Sequence, residues 1–172
     1  MLNFISEEHL IKHTEYLKGL KLRYSILEKS VPELKGKKIF EIARLRIDKI
    51  IRAEALSLLT EIELHELYFS SFGNGSSLGN AEVRGCFGSE ANFLYELKRL
   101  AMKSDWGFVG LKRGRNGLEL FHSDGKRYCE GMPILAIDVC EHAYYGDYGF
   151  EKELYLKNAL MFLNLDKVSK ND

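Results

Sequence analysis

The sequence predicts an α+β fold: an N-terminal α-helical hairpin followed by an α/β domain with a small three-stranded antiparallel sheet. Two observations carry this. Apolar residues recur at helical spacing through the first seventy or so positions. After the break "FGNGSSLG" at 72–79, short apolar runs separated by glycine-rich turns take over. The 172 residues suffice for one ordinary domain or two small layers sharing a core. The break divides them into a helical hairpin domain at 1–75 and an α/β domain at 80–172.

The first helix is predicted from Ser6 to about Leu27, with Leu10, Leu17, Leu20 and Leu27 at helical spacing. Ser6 serves as its N-cap, and Glu7 and Glu8 face the positive end of the helix dipole. "SVPELKGKK" is a turn. From about Ile39 to Phe72 the pattern is again helical, as two helices or one bent helix. "GSEANFLYELKRLAMKS" at 88–104 is an amphipathic helix capped by Ser89. The runs "WGFVGLK", "GLELFHS" and "PILAIDV" supply three strands, with "LKRGRNG" at 111–117 as a hairpin turn. "FEKELYLKNALMFLNL" at 150–165 closes the chain as a helix.

Composition narrows the function classes. Apolar residues make up 45% and aromatics 12%, a globular balance. With 25 basic and 25 acidic side chains, the formal charge is zero, which gives no support for a nucleic-acid partner. No run reaches the length of a membrane span, and "MLNFISEEHL" lacks the marks of a signal peptide. Cys86, Cys129 and Cys140 form neither a disulfide framework nor a zinc ribbon. The expectation is a soluble cytoplasmic protein with no nucleic-acid or membrane partner.

Chemistry concentrates in the histidines, of which there are five. His9, His13 and Tyr16 stand at i, i+4 and i+7 and share a helix face with Leu17 and Leu20. His65 is a polar group in the aromatic segment "EIELHELYFSSF", and in "PILAIDVCEHAYYGDY" Asp138 ends an apolar run with His142 four residues on. Each alone reads as readily as a satisfied buried side chain. Together, histidines and one aspartate presented from apolar neighbourhoods suit a first-row transition metal, and the carboxylate favours iron or manganese over a thiolate zinc site. A cation would also offset the cost of burying Asp138 as an anion.

"IDVCEHAYY" resembles the C-terminal signature of the iron/manganese superoxide dismutases, Asp-Val-Trp-Glu-His-Ala-Tyr-Tyr. "HELYF", "FGSEANF", "SDWGFVGL" and "KHTEYLKGL" are similar to further motifs of that family, so the likeness runs from residue 9 to about 165. The resemblance implies one iron or manganese ion per subunit, held by His9, His65, Asp138 and His142. It implies substrate-gateway roles for His13 and Tyr16, and an aromatic wall at Trp106. Glu141 and Tyr145 would lie at the interface of a homodimer. The implied activity is that of an antioxidant enzyme, redox disproportionation of superoxide to dioxygen and hydrogen peroxide.

Three departures from the family pattern bear on this. The family has one more residue between its first histidine ligand and the gateway tyrosine, so counting back from Tyr16 reaches Glu8, and either Glu8 or His9 takes the first ligand position. Cys140 stands where the family has tryptophan. Glu61 stands where a glutamine is expected one turn before His65, and the sheet offers only His122 or Ser123 in its stead. Glu61 is therefore either a solvated helix residue or a carboxylate active beside the metal. The alternative function is a family-like metal-binding protein with little dismutase turnover.

Overall fold

The computed structural model describes residues 3–73, 80–126 and 131–168. Helix α1 (Glu7–Ser30) starts on Ser6, whose hydroxyl accepts from the His9 amide at 3.1 Å, and ends just before Pro32, which disfavours helix in the residue preceding it. A 3-10 turn (Pro32–Leu34) and the short α2 (Ile39–Ile42) lead to α3 (Lys49–Ser70). Asp48 caps α3 by accepting from the amides of Ile50 and Ile51. The segment 39–72 is thus two helices, with Asp48 supplying the second start signal.

Helices α1 and α3 form the hairpin. Leu17 and Leu20 meet Leu58 and Ile62 between them, and Leu34, Ile42 and Ala55 fill a smaller cluster at the far end. The glycine- and serine-rich break lies largely at 74–79, outside the described residues, as does Cys129.

Beyond the break come α4 (Ala81–Phe87) and α5 (Glu90–Lys103), then strands β1 (Phe108–Gly114), β2 (Gly117–Ser123) and β3 (Met132–Asp138). The sheet is antiparallel with order β2-β1-β3, and "LKRGRNG" makes the β1–β2 hairpin as expected. After β3 the chain passes through a 3-10 turn (Glu141–Ala143), α6 (Tyr145–Tyr148), α7 (Lys152–Met161) and a final 3-10 turn (Leu165–Val168). Helix α4 begins right after the break, and α6 is one turn long; neither is long enough to show a helical period of its own.

Central strand β1 carries a glycine for a steric reason. A Cβ on Gly110 would lie 1.9 Å from the Leu135 carbonyl oxygen of β3 and 2.9 Å from the Phe121 ring of β2. The other edge of β3 is closed by α3. The buried Ser71 hydroxyl donates to the Leu67 carbonyl at 2.7 Å and accepts from the Ala136 amide at 2.9 Å. Ser71→Ala leaves that amide buried without an acceptor and is expected to cost about 1–3 kcal/mol, read from chemical denaturation.

The hairpin is also fastened at its open end. The Ser6 backbone N–H and hydroxyl both donate to Asp147 of α6, each at 2.6 Å, and the Tyr148 hydroxyl donates to the Phe4 carbonyl. The largest core cluster gathers under the sheet and includes Tyr68, Phe93, Phe108, Leu135 and Tyr155. Among the described residues, no helix is long and apolar enough to cross a membrane.

Candidate metal centre

Four elements converge where the hairpin meets the end of β3. Helix α1 contributes His13, α3 contributes His65, β3 ends on Asp138, and the 3-10 turn after it carries His142. One donor atom from each lies within 4.8 Å of all the others. The Nε2 atoms of His142, His13 and His65 approach Asp138 Oδ2 at 3.0, 3.3 and 3.5 Å. Asp138 and His65 are fully buried and His13 nearly so.

The surroundings fix what each donor can do. His65 Nδ1 lies 2.7 Å from the Glu61 carbonyl, which can only accept, so Nδ1 carries the proton and Nε2 turns a lone pair inward. Asp138 Oδ1 accepts from the Cys140 amide at 2.9 Å, which leaves Oδ2 for the centre. Asp138 Oδ2 and both ring nitrogens of His13 are buried and make no hydrogen bond. Such orphaned groups are expensive when dry. A cation among the four satisfies Oδ2 and His13 Nε2 at once. Three imidazole nitrogens and one carboxylate oxygen make a donor set suited to a first-row transition ion.

Electrostatics point the same way. Burial alone would raise the Asp138 carboxyl, but the imidazoles of His13, His142 and His65 close around it hold it far below the usual range, so it stays an anion. Burial pushes the His65 imidazole down, favouring the neutral form that a metal ligand needs. His142 moves up: burial opposes its charge, but the contact with Asp138 outweighs that.

An aromatic jacket encloses the group. The His13 ring packs on Tyr68 and Phe69, each with centroids 5.0 Å away, and His65 meets the edge of Phe108 at 4.9 Å. The Tyr155 hydroxyl, fully buried, donates to the Asp138 carbonyl at 2.9 Å. The sequence reading missed Tyr68, Phe69, Phe108 and Tyr155 as parts of the site. Tyr68 was findable, three residues after His65 on the same helix face. Tyr155 comes from another helix and carries no local signal.

The expected first ligand is corrected here. His9 is buried but outside the group of four, and His13 occupies the place expected for it. One helical turn separates the two by about 6 Å along α1. The Ser6–Asp147 bonds set the first turn against α6, where His9 Nδ1 crowds the Gly146 backbone so closely that a Cβ there would lie 2.5 Å from it. The second turn, with His13, is then level with Asp138. Glu8, the other candidate, is exposed and paired with Lys12 at 2.6 Å. The geometry thus groups His13, rather than His9 or Glu8, with His65, Asp138 and His142.

Tyr16 lies over the site, its ring 4.7 Å from His142 and 5.3 Å from His65. Its hydroxyl donates to Glu61 Oε1 at 2.6 Å, so Glu61 is not a freely solvated residue. Burial and this bond push the phenol well above its ordinary value. Replacing Glu61 by glutamine removes the charge, and the Tyr16 titration in the metal-free protein is expected to move down; NMR of Cζ-labelled tyrosine reads it.

Trp106 is half-exposed with its ring 6.3 Å from His142, and His122 donates from Nε2 to the Trp106 carbonyl at 2.8 Å instead of facing the centre. Cys140 is buried, its sulfur accepting from the Gly107 amide at 3.0 Å, and burial raises its thiol. Glu141, in the turn that bears His142, and Tyr145, at the start of α6, are both exposed.

Comparison with known proteins bears on the same region. The profile of the family "Iron/manganese superoxide dismutases, C-terminal domain" matches residues 77–171, which include Asp138 and His142. Among curated proteins, a superoxide dismutase (Fe) of Cupriavidus metallidurans is 31% identical over 115 residues, covering 62% of this chain and 58% of the relative. A superoxide dismutase (Fe) of Tetrahymena pyriformis is 34% identical over 94 residues, 51% of this chain and 48% of its own. That of Babesia bovis is 31% identical over 118 residues, 62% and 59% respectively. The chain thus spans less than two thirds of each of these relatives.

Proposed function

Because this chain belongs to the iron/manganese superoxide dismutase family, we propose that it binds one iron or manganese ion through His13, His65, Asp138 and His142 and disproportionates superoxide. The observation that carries this reading is the four-donor group, in which Asp138 Oδ2 and His13 Nε2 are buried without hydrogen-bond partners. Iron is favoured by the names of the relatives, each a superoxide dismutase (Fe).

When bound, such an ion supplies a one-electron redox couple, which zinc lacks. The overall reaction turns two superoxide anions and two protons into dioxygen and hydrogen peroxide. Asp138 balances part of the cation's charge, and His65, oriented by the Glu61 carbonyl, presents a neutral nitrogen. The jacket of Tyr68, Phe69 and Phe108 keeps bulk water from the buried carboxylate. Tyr16 reaches from the centre toward solvent. Its raised phenol stays protonated at neutral pH, so it hands on protons by hydrogen bonding rather than by carrying charge.

Exposed Glu141 and Tyr145, beside His142, support a homodimer whose interface adjoins the centre. The free thiols of Cys86 and Cys140 support a reducing compartment such as the cytoplasm.

A second reading, a metal-binding relative with little turnover, draws on two observations: the Glu61 carboxylate beside Tyr16 and the Cys140 thiol buried next to Asp138. Elemental analysis combined with superoxide-removal assays after reconstitution with iron and with manganese separates the two. Dismutation that follows metal content upholds the enzyme. A filled site with a background rate leaves the second reading, and a chain that takes up neither metal ends both.

A further inference from the structure

The outer face of α1 carries a pattern that its own chain does not use. Glu15, Gly19, Leu22, Ile26 and Lys29 alternate steps of four and three residues, the spacing of a helix face that packs on another helix. All five are exposed, Leu22 by 63% and Ile26 by 57%, and they lie opposite the face that buries His13, Leu17 and Leu20. The helix thus turns one apolar face to the core and a second, narrower one to water.

Two further observations point to what covers this strip. Gly19 sits mid-helix, where glycine is less stable than alanine, and nothing within the chain calls for it: its φ is not positive, and a Cβ there would meet no atom within 4 Å. What a bare backbone on a helix face does permit is the close approach of another backbone. The charges divide in the same way. Flanking the strip, Lys12, Lys21 and Arg23 are paired with Glu8, Glu66 and Glu54. On the strip, Glu15 and Lys29 form no ion pair or hydrogen bond among the described residues. About 21 Å of helix separates them, so they cannot meet within one chain. In an antiparallel pair with a two-fold axis at Leu22 they do meet, because they stand equally far from it on either side.

We propose that α1 packs antiparallel on α1 of a second copy of this chain, about a two-fold axis at Leu22. The two Leu22 side chains meet on the axis. Ile26 lies over Gly19 of the partner subunit and along the aliphatic stem of the partner's Lys18. Two ion pairs, each between Glu15 of one copy and Lys29 of the other, close the ends and fix the register. This surface is separate from Glu141 and Tyr145, so a chain that uses both assembles beyond a dimer, and it stands or falls independently of the dismutase reading. One helix pair covers less than the ~1,200 Å² of a stable interface, so dissociation in the micromolar range or weaker is expected.

Sedimentation equilibrium of the full chain, from low to high micromolar concentration, tests it. Leu22→Glu is expected to weaken one association step at least tenfold. Glu15→Lys and Lys29→Glu should each weaken the same step about fivefold, and the double variant, which reverses both ends, should restore it. Gly19→Ala should weaken it as well, while raising the melting temperature of the dilute chain through better helix propensity. The proposal is overturned if no association step responds to Leu22→Glu, or if the double variant associates no better than the single ones. Association unchanged by Gly19→Ala also overturns it, because the helices are then not in close contact. A step lost in Tyr145→Glu but indifferent to Leu22→Glu belongs to the other surface and equally counts against it.

Discussion

His13→Ala will abolish stoichiometric metal binding, while His9→Ala will leave it intact. Substitutions of groups that merely orient a metal ligand cost 10–100-fold in affinity, so loss of a donor is expected to exceed ~100-fold. The two histidines are one turn apart on the same face of α1 and both are buried, so composition, exposure and helix content change alike in the two variants. What differs is position. His13 Nε2 lies 3.3 Å from Asp138 Oδ2, whereas His9 Nδ1 lies against Gly146. Metal per chain by elemental analysis, with circular dichroism to establish folding, gives the answer. Equal loss in both variants, or greater loss from His9→Ala, refutes the donor set proposed here. Glu8→Ala is the control for the remaining candidate and should change nothing, since it breaks only an exposed pair with Lys12.

Gly110→Ala is expected to be among the most destabilising single changes available to this chain. The added methyl would sit 1.9 Å from the Leu135 carbonyl oxygen, a backbone atom that cannot turn aside as a side chain can. Strands β1 and β3 must separate or slip. Either movement displaces Asp138, which is paired with Phe108 at the end of that ladder. A loss of more than ~4 kcal/mol is anticipated, at the extreme of single substitutions. Against a total stability of about 5–15 kcal/mol this leaves little folded protein. Urea denaturation and metal content are expected to fall together. Wild-type stability in this variant would mean that the sheet is not paired as described.

Much of this architecture was readable from periodicity and punctuation. Ser6 and Ser89 mark helix starts through their side-chain caps, and the glycine-bounded apolar runs form the three strands. His65, Asp138 and His142 were readable because each interrupts an apolar segment with a group that is costly to bury. His13 and His9 could not be told apart, because helical spacing places both on one face; the height of α1 against β3 decides, and that height is set by a contact between Ser6 and Asp147, 141 positions apart. Glu61 was ambiguous for a related reason. Its carboxylate finds Tyr16 only once α1 lies beside α3, and nothing around residue 61 announces the phenol. Tyr155 reaches Asp138 from α7, a relationship that exists only in the assembled core.

The bond between Ser6 and Asp147 has a consequence for how the molecule assembles over time. It ties the beginning of α1 to a segment made long after it, so α1 and α3 can pair early while the centre stays open. His65 and His142 are themselves 77 positions apart. Contacts of such range form slowly, because the loop they close must first be ordered. A nascent chain can therefore offer only His13 and His65, a weak and incomplete pair, until β3 and the turn after it have emerged and docked. An ion held as proposed would then be captured late and lock the finished fold, making the concentration of available metal a term in the protein's own stability.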